Sequence, residues 1–207
     1  MTNILIIDSA ATGGQSVSRR LTAVAESVAE SGGARIVRRD VGVEPVPHLT
    51  EETVFAIRGK PAETDAERNA LGLSDALIDE LRQADVIVIG APMYNFGMPS
   101  TLKAWFDHVL RARVTFRYTE SGPEGLVTGK RAIVVESRAG FYSEGDAGAM
   151  DSQEPHIRTL LGFIGITDVT FVRAEKLAFG PEAAEASIGA AAEQLRTLIG
   201  EDLRLAA

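Results

Sequence analysis

The sequence predicts an α/β protein built on one parallel β-sheet with helices on both of its faces. Short apolar segments bounded by turn residues alternate with longer segments of helical periodicity, which is the pattern of a doubly wound sheet. The chain has 207 residues, enough to bury one full-sized core, and it has no cysteine. We therefore expect a single domain over residues 1–207 that folds without disulfide bonds.

Five segments are predicted to form the strands of this sheet. They cover residues 4–7, 35–38, 86–89, 132–135 and 169–172. Short apolar runs between turn residues favour buried strands. Five parallel strands favour the order 2-1-3-4-5 of the flavodoxin-like fold, because a six-stranded dinucleotide-binding fold needs another strand and a glycine fingerprint that this sequence lacks.

Three segments carry apolar residues at the i, i+3, i+4 and i+7 spacing of an amphipathic helix. The stripes are Leu21, Val24, Ala25 and Val28; Leu71, Leu77, Ile78 and Leu81, with Ser74 as a polar exception; and Ile188, Ala191, Ala192, Leu195, Leu198 and Ile199. A further helix is expected to begin at about Pro99, and the last stripe predicts a C-terminal helix that closes the fold.

Composition argues against several classes of function. The net charge of -8 and the acidic pI speak against a nucleic-acid or anionic-membrane surface. Without cysteine there is no thiol nucleophile, and His48, His108 and His156 lie too far apart for metal-ligand spacing. The apolar run at the N-terminus is too short for a signal peptide or a membrane span. We therefore expect a cytoplasmic protein whose chemistry comes from a cofactor.

The loop after the first strand, 9-SAATGGQSVSRRLT-22, combines small residues with the start of a helix. Ser16 and Ser18 offer hydroxyl groups, and the helix N-terminus adds free N–H groups with a favourable dipole for an anion. No lysine accompanies them, which suits a monophosphate better than a nucleoside triphosphate. The alternative is that Ser16 or Ser18 only caps the helix.

The loops after the third and fourth strands are the other candidate ligand contacts. Pro92 ends the third strand and frees the following backbone for hydrogen bonds to the edge of a flat ring, with Tyr94 and Phe96 beside its face. The alternative is an aromatic plug over the core. Ser137, Arg138 and Gly140 bring small or donor residues to the fourth loop, which by itself is also compatible with a simple turn.

These motifs carry a resemblance to a known family. The segment of residues 91–131, with P-M-Y-N-F and 114-VTFRYTESGPEGLVTGK-130, and the later 162-GFIGITDV-169 closely resemble the FMN-dependent NADH:quinone oxidoreductases, also called NADH-azoreductases. The similarity runs through essentially the whole chain. It implies a flavodoxin-like homodimer with one non-covalent FMN per subunit and each active site near the subunit interface.

The resemblance also implies which residues contact the flavin. It assigns the phosphate to Ser16, Val17 and Ser18, the ring to Met93, Tyr94, Asn95 and Phe96 directly after Pro92, and the pyrimidine end to Ser137, Arg138, Ala139 and Gly140. Ala10 stands where the family often has a serine, so Ser9 or a backbone N–H is the expected substitute. Ala139 replaces a glycine, which would cost about 1 kcal/mol if that position had a positive φ.

The activity that the resemblance implies is a two-step hydride transfer. NADH passes hydride to N5 of FMN, and a quinone or an azo compound then takes its place, which gives ping-pong kinetics. Phe96, Tyr118 and the partner's Phe163 are expected to wall the substrate slot, although the GFIGI context of Phe163 by itself predicts a core residue. The alternatives are a flavodoxin-type electron carrier, a general NAD(P)H:FMN reductase, and an FMN-free relative that binds protein partners.

Overall fold

A computed structural model describes residues 1–205 of the chain. Within them the strands are β1 (Asn3–Asp8), β2 (Arg35–Asp40), β3 (Val86–Pro92), β4 (Phe116–Thr119), β5 (Gly122–Gly125), β6 (Arg131–Ser137) and β7 (Asp168–Ala174). Five of them form one parallel sheet in the order β2-β1-β3-β6-β7. This is the predicted order 2-1-3-4-5, so the predicted fold class is confirmed. The prediction of a single domain over residues 1–207 includes Ala206 and Ala207, which lie outside the described residues.

Helices cover both faces of the sheet, as predicted. They are α1 (Val17–Ser31), α2 (Val54–Ile57), α3 (Asp65–Gln83), α4 (Ser100–Val109), α5 (Gln153–Phe163) and α6 (Pro181–Leu205). Apolar residues of α1 and α6 pack on one face, and those of α3, α4 and α5 pack on the other. Helix α3 begins with a capping box between Thr64 and Glu67, which satisfies two otherwise free backbone donors. In the part of the chain that the structure describes, no helix has the length and apolar content needed to cross a bilayer.

Strand β3 lies in the middle of the sheet and is buried along its whole length. Its sequence, VIVIGAP, is almost continuously apolar because helices cover both of its faces. Pro92 is its last residue, as predicted, and Met93 keeps one bond to the neighbouring strand by donating its N–H to the Ser137 carbonyl at 2.9 Å. The chain leaves the sheet immediately after this bond.

Strands β4 and β5 form a separate antiparallel hairpin, which the list of five predicted strands did not contain. The hairpin packs on the turn after α5, where a Cβ atom on Gly125 would lie 2.1 Å from the backbone nitrogen of Gly165. Only glycine permits this close approach of two backbones. The contact fixes the hairpin, and with it Tyr118, near the C-terminal end of α5.

Candidate functional site

The topology brings the loops after β1, β3 and β6 to one edge of the sheet, next to the point where the strand order reverses. Ligands of doubly wound sheets bind at this edge. The Ala11 N–H donates to the Tyr94 hydroxyl at 3.1 Å, which joins the first loop to the loop after β3. The Ser152 N–H donates to the Phe96 carbonyl at 3.0 Å, which joins the loop after β3 to the loop after β6. The three predicted loops therefore form one continuous surface.

The first loop ends in a pair of hydroxyl groups at the start of α1. Ser16 and Ser18 are almost completely buried, and their hydroxyl oxygens lie 3.0 Å apart. Ser16 is also the N-cap, because its hydroxyl accepts the Arg19 N–H at 3.3 Å. Among the described residues, the N–H groups of Val17 and Ser18 have no hydrogen-bond acceptor. Capping and anion binding are thus compatible here, since the helix end keeps free donors.

The nearest cation to this loop is already paired. The Arg19 guanidinium is bonded to both carboxylate oxygens of Asp40 and to the Ala10 carbonyl. This pairing raises the pKa of Arg19, chiefly through its hydrogen bond to Asp40. An anion at this loop would therefore be held mainly by neutral hydroxyl and amide donors, as the sequence predicts.

Ser9 does not take part in this arrangement of donors. Its side chain is buried, and its hydroxyl donates to the Gly90 carbonyl at 2.6 Å, so the proton is directed into the sheet. The expectation that Ser9 replaces the hydroxyl missing at Ala10 is therefore corrected. The free backbone donors of the loop are the better candidates for that contact.

Residues 94–97 after β3 form a tight turn of unusual conformation. Tyr94 and Gly97 exchange two backbone hydrogen bonds of 2.9 and 3.1 Å, and both central residues have positive φ, 48° for Asn95 and 70° for Phe96. This is a type I′ turn, in which an aromatic residue at the second central position is disfavoured. Left-handed backbone costs about 1 kcal/mol or more for a non-glycine residue. Strain of this kind clusters at active sites and ligand-binding sites.

The turn directs its free groups outward. Within residues 1–205 the N–H groups of Asn95 and Phe96 have no acceptor. The Phe96 side chain is 44% exposed. The alternative of an aromatic plug over the core is therefore excluded for Phe96, and the turn offers both amide donors and an apolar surface to a ligand.

The loop after β6 differs from expectation at Arg138. Its side chain is 0% exposed, so the prediction that this residue offers a donor side chain to a ligand is corrected. Ala139 is exposed and has no positive φ, so the predicted strain of replacing glycine does not arise. Among the described residues the N–H groups of Ala139 and Gly140 donate to no acceptor, so they remain available to a ligand.

The Arg138 guanidinium instead contacts four residues from three segments beneath the loop. Its Nη2 lies 2.9 Å from Asp151 and 2.7 Å from Glu136, and its Nη1 lies 3.2 Å from Glu175. Nε donates to the Gln153 side chain at 3.2 Å. Because these partners come from β6, the start of α5 and the end of β7, the buried network fixes the loop to the sheet.

Glu136 is the most perturbed carboxyl group of this network. It is 0% exposed, and neither of its oxygens has a well-aligned hydrogen bond within the described residues. Burial raises its pKa to about 8, an effect that the nearby Arg138 opposes and that Glu154 and Asp151 increase. Burial therefore favours the neutral form of Glu136, whereas Arg138, 2.7 Å away, favours the charged form.

Tyr142 is a residue of the site that the sequence interpretation missed. Its ring lies over Gly140, where an added Cβ would come within 2.7 Å of the tyrosine Cζ, and it meets the Phe96 ring edge-on at 6.0 Å. Its N–H donates to Glu175 at 2.9 Å, so the network around Arg138 also positions this ring. An aromatic residue two positions after the glycine of S-R-A-G was the available signal.

Tyr118 and Phe163 lie apart from these loops. Both contact Phe116, with ring centroids 5.6 and 4.6 Å away, and they form one aromatic cluster on the hairpin side of the molecule. Helix α5 starts beside Phe96 and ends at Phe163, and its 11 residues span about 16 Å. The cluster therefore does not face the Phe96 turn of its own chain.

The fold and its loops define the class of protein. A sheet of this order, with a hydroxyl-lined helix N-terminus and strained or open turns after β3 and β6, is that of a flavodoxin-like protein, and the family model described as a flavodoxin-like fold matches residues 2–199.

Comparison with known proteins defines the family more narrowly. The chain is 53% identical over 197 residues to the FMN-dependent NADH:quinone oxidoreductase of Hyphomonas neptunium, an alignment that covers 94% of each chain. It is 47% identical to FMN-dependent NADH:quinone oxidoreductase 3 of Pseudomonas aeruginosa, over 99% of this chain and 96% of the other. The crystal structure of an azoreductase from Bacillus anthracis superposes with a TM-score of 0.88 at 26% identity, covering 97% of this chain and 100% of the other. The protein belongs to the FMN-dependent NADH:quinone oxidoreductase family.

Proposed function

We propose that this protein is an FMN-dependent enzyme that uses NADH to reduce quinones to hydroquinones and to cleave aromatic azo compounds. The observation that carries the proposal is the convergence of three loops with free donors on one sheet edge, in a chain 53% identical to a protein named for this activity. FMN, when bound, supplies the hydride chemistry at N5. Since the sequence has no cysteine and the family's donor is NADH, we place the enzyme in the cytoplasm. Recovery of its activity in a membrane or extracellular fraction would contradict that placement.

The donor set fits this cofactor. A phosphate monoester requires several hydrogen-bond donors and a favourable dipole, which Ser16, Ser18 and the free N–H groups at the start of α1 offer. A flavin ring requires donors along its polar edge and apolar surface beside its face. The N–H groups of Asn95 and Gly140 and the exposed Phe96 ring supply these.

The protein's own residues would then orient and stabilise rather than react. The N–H groups of the 94–97 turn and of Ala139 and Gly140 are held in place before any ligand binds, so they can stabilise negative charge on a reduced ring without reorganisation. Phe96 and Tyr142 are expected to exclude water from the edge that they border. One slot used in turn by NADH and the acceptor gives ping-pong kinetics.

The visible spectrum tests the proposed function most directly. The purified protein, or the protein after addition of FMN, is expected to show the absorption of oxidised flavin, to lose it on anaerobic addition of NADH, and to regain it with a benzoquinone. A yellow protein that NADH does not bleach would favour an electron carrier. A colourless protein that takes up no added FMN would refute the proposal.

The paired hydroxyls make a specific prediction about FMN affinity. The double variant Ser16→Ala, Ser18→Ala removes two donors to the phosphate, and each hydrogen bond to a charged group contributes about 1.5–3 kcal/mol. We expect the dissociation constant of FMN to rise by at least about 100-fold, measured by quenching of FMN fluorescence. Riboflavin, which lacks the phosphate, is the control ligand, and its affinity should change far less. An equal loss for both ligands would mean that the serines act only on the folding of α1.

We further propose that the protein is a homodimer in which Tyr118 and Phe163 both border the partner's ring. The resemblance assigned only Phe163 to the partner subunit. Because Tyr118 and Phe163 both contact Phe116 of the same chain, we propose that both come from one subunit. Tyr118 is 73% exposed, and the length of helix α5 separates it from the Phe96 turn of its own chain. It can therefore contact a second subunit.

A mixed dimer tests whether Tyr118 borders the ring of its own subunit or that of the partner. One chain carries Ser16→Ala and Ser18→Ala and holds little FMN, and the other carries Tyr118→Ala and holds FMN beside a truncated wall. If Tyr118 borders the partner's ring, mixing the two poorly active homodimers should restore activity, because the FMN-loaded subunit then receives an intact Tyr118. Activity that stays at the mean of the two homodimers would contradict this arrangement, and a monomer in sedimentation would contradict the dimer.

A further inference from the structure

A cavity beside the β4–β5 hairpin has an unusual concentration of positive charge. Its volume is about 340 Å³, and its lining residues are Arg58, Gly59, Ala112, Arg113, Arg117 and Tyr118. Half of these residues are arginines and none is acidic. The polar cavity at the amino ends of the strands, about 460 Å³ in volume, differs because Lys130 and Arg131 are accompanied there by three aspartates.

Two of the three arginines lack a compensating carboxylate. Arg117 is paired with Glu124 through two hydrogen bonds of 2.8 and 3.0 Å. Across residues 1–205, the guanidinium groups of Arg58 and Arg113 have no acidic partner within ion-pair distance, which is 4.0 Å. Two guanidinium groups without a counter-charge favour an anion at this cavity, even though the protein as a whole has a net charge of -8.

The backbone holds one of these arginines in a strained conformation. Arg113 has a φ of 68°, and its N–H donates to the Phe116 carbonyl at 2.6 Å, which fixes the turn before β4. Positive φ is uncommon for arginine, and such strain clusters at ligand sites. Arg113 lines the cavity next to the exposed Tyr118.

We propose that this cavity binds the pyrophosphate of NADH through Arg58 and Arg113. The inference rests on the proposed function and on the proposed contact of Tyr118 with the partner's ring. In that arrangement the nicotinamide of NADH stacks on the partner's ring beside Tyr118. The pyrophosphate of NADH then lies next to the cavity of the subunit that supplies Tyr118. Guanidinium groups bind phosphate oxygens through paired, charge-assisted hydrogen bonds, whereas the quinone acceptor offers no such charge.

Two single variants test the proposal, each removing one unpaired charge. Arg58→Gln keeps a similar length, and Arg113→Asn keeps a residue that tolerates positive φ. Arg35→Gln is the matched control, since Arg35 is exposed at the start of β2 and lies outside the cavity. Donors are NADH and 1-benzyl-1,4-dihydronicotinamide, which carries no phosphate, with the same neutral benzoquinone as acceptor.

We expect the ratio of kcat/KM for NADH to kcat/KM for the phosphate-free donor to fall roughly three- to tenfold in each cavity variant and to stay unchanged in Arg35→Gln. The fall should lie in KM for NADH and should diminish as ionic strength rises. An unchanged ratio in both cavity variants would overturn the proposal. The acceptor is tested in the same way, with the phosphate-free donor and either a carboxylated azo dye or a neutral quinone. If the cavity variants lower the ratio of kcat/KM for the dye to kcat/KM for the quinone, the cavity binds the acceptor, and the proposal is overturned.

A binding measurement keeps this test independent of turnover. ADP-ribose carries the pyrophosphate without nicotinamide, and calorimetry on the purified protein should show its dissociation constant rising roughly three- to tenfold in Arg58→Gln and Arg113→Asn. Equal affinity in parent and variants would refute the cavity as a pyrophosphate site. Failure of the proposed function has a different signature, namely an FMN-loaded protein that neither donor bleaches.

Discussion

Replacing Arg138 with methionine is expected to lower the free energy of unfolding by about 3–5 kcal/mol and to weaken FMN binding by more than tenfold. The guanidinium is completely buried, and it is the cation shared by Asp151 and Glu175. Methionine fills a similar volume but leaves these two carboxylates without their counter-charge. Chemical denaturation measures the stability, and FMN titration well below the unfolding transition measures the effect on the loop.

Two comparison variants separate the positioning role of Arg138 from simple loss of stability. Arg138→Lys keeps the charge but cannot bond Gln153, Glu175 and Asp151 at once, so an intermediate effect is expected. Arg131→Met removes a partly buried ion pair with Asp202 at the opposite end of the same strand. It should lower stability without changing FMN affinity. Equal losses of FMN affinity in Arg131→Met and Arg138→Met would contradict the positioning role.

The central sheet could be predicted because each of its buried strands is a short apolar run that is visible in the sequence itself. Strand β3 shows a nearly unbroken apolar run, and β1 and β6 show the same pattern, since helices cover both faces of each. The hairpin gave no such signal. Strand β5 reads GPEG, with no apolar residue to bury, and it exists because Gly125 packs against the turn at Gly165, 40 residues later in the chain.

The candidate site was predictable in its backbone and less so in its side chains. Pro92 and the glycine-rich loop before Ser16 indicate where the chain must turn, and turns at the carboxyl edge expose amides. The orientation of the Arg138 side chain could not be predicted from the sequence, because its partners Asp151 and Glu175 follow it by 13 and 37 residues. The orientation of a polar side chain depends on partners that only the tertiary fold brings together.

The second large effect is the pH dependence caused by Glu136. Its pKa is raised to about 8 in the folded protein, mainly by burial, whereas the unfolded chain has the ordinary value near 4.5. Between these values the folded state binds a proton that the unfolded state has released. The free energy of unfolding therefore contains a contribution that is complete below pH 4.5, declines as pH rises, and is lost above about pH 8.

Glu136→Gln removes this dependence, because glutamine is neutral at every pH and similar in shape. The stability of the variant relative to the parent should therefore increase by roughly 2–3 kcal/mol between pH 6 and pH 9, and should change little above that range. Denaturation at a series of pH values measures it. Glu124→Gln is the matched control, since Glu124 is exposed and paired with Arg117, which lowers its pKa. Its effect should be constant over this range.

The alternative outcome has a definite structural meaning. One Glu136 oxygen lies 2.7 Å from the Arg138 guanidinium, and Arg173 is 3.8 Å away, so two cations favour the charged form. Asp151 and Glu154 oppose it, and burial opposes it most. If the difference between Glu136→Gln and the parent is independent of pH from 6 to 9, the ion pair with Arg138 outweighs burial and Glu136 is charged throughout. If the difference rises as expected, Arg138 mainly serves Asp151 and Glu175, and the loop carrying Ala139 and Gly140 rests on a neutral carboxyl group at physiological pH.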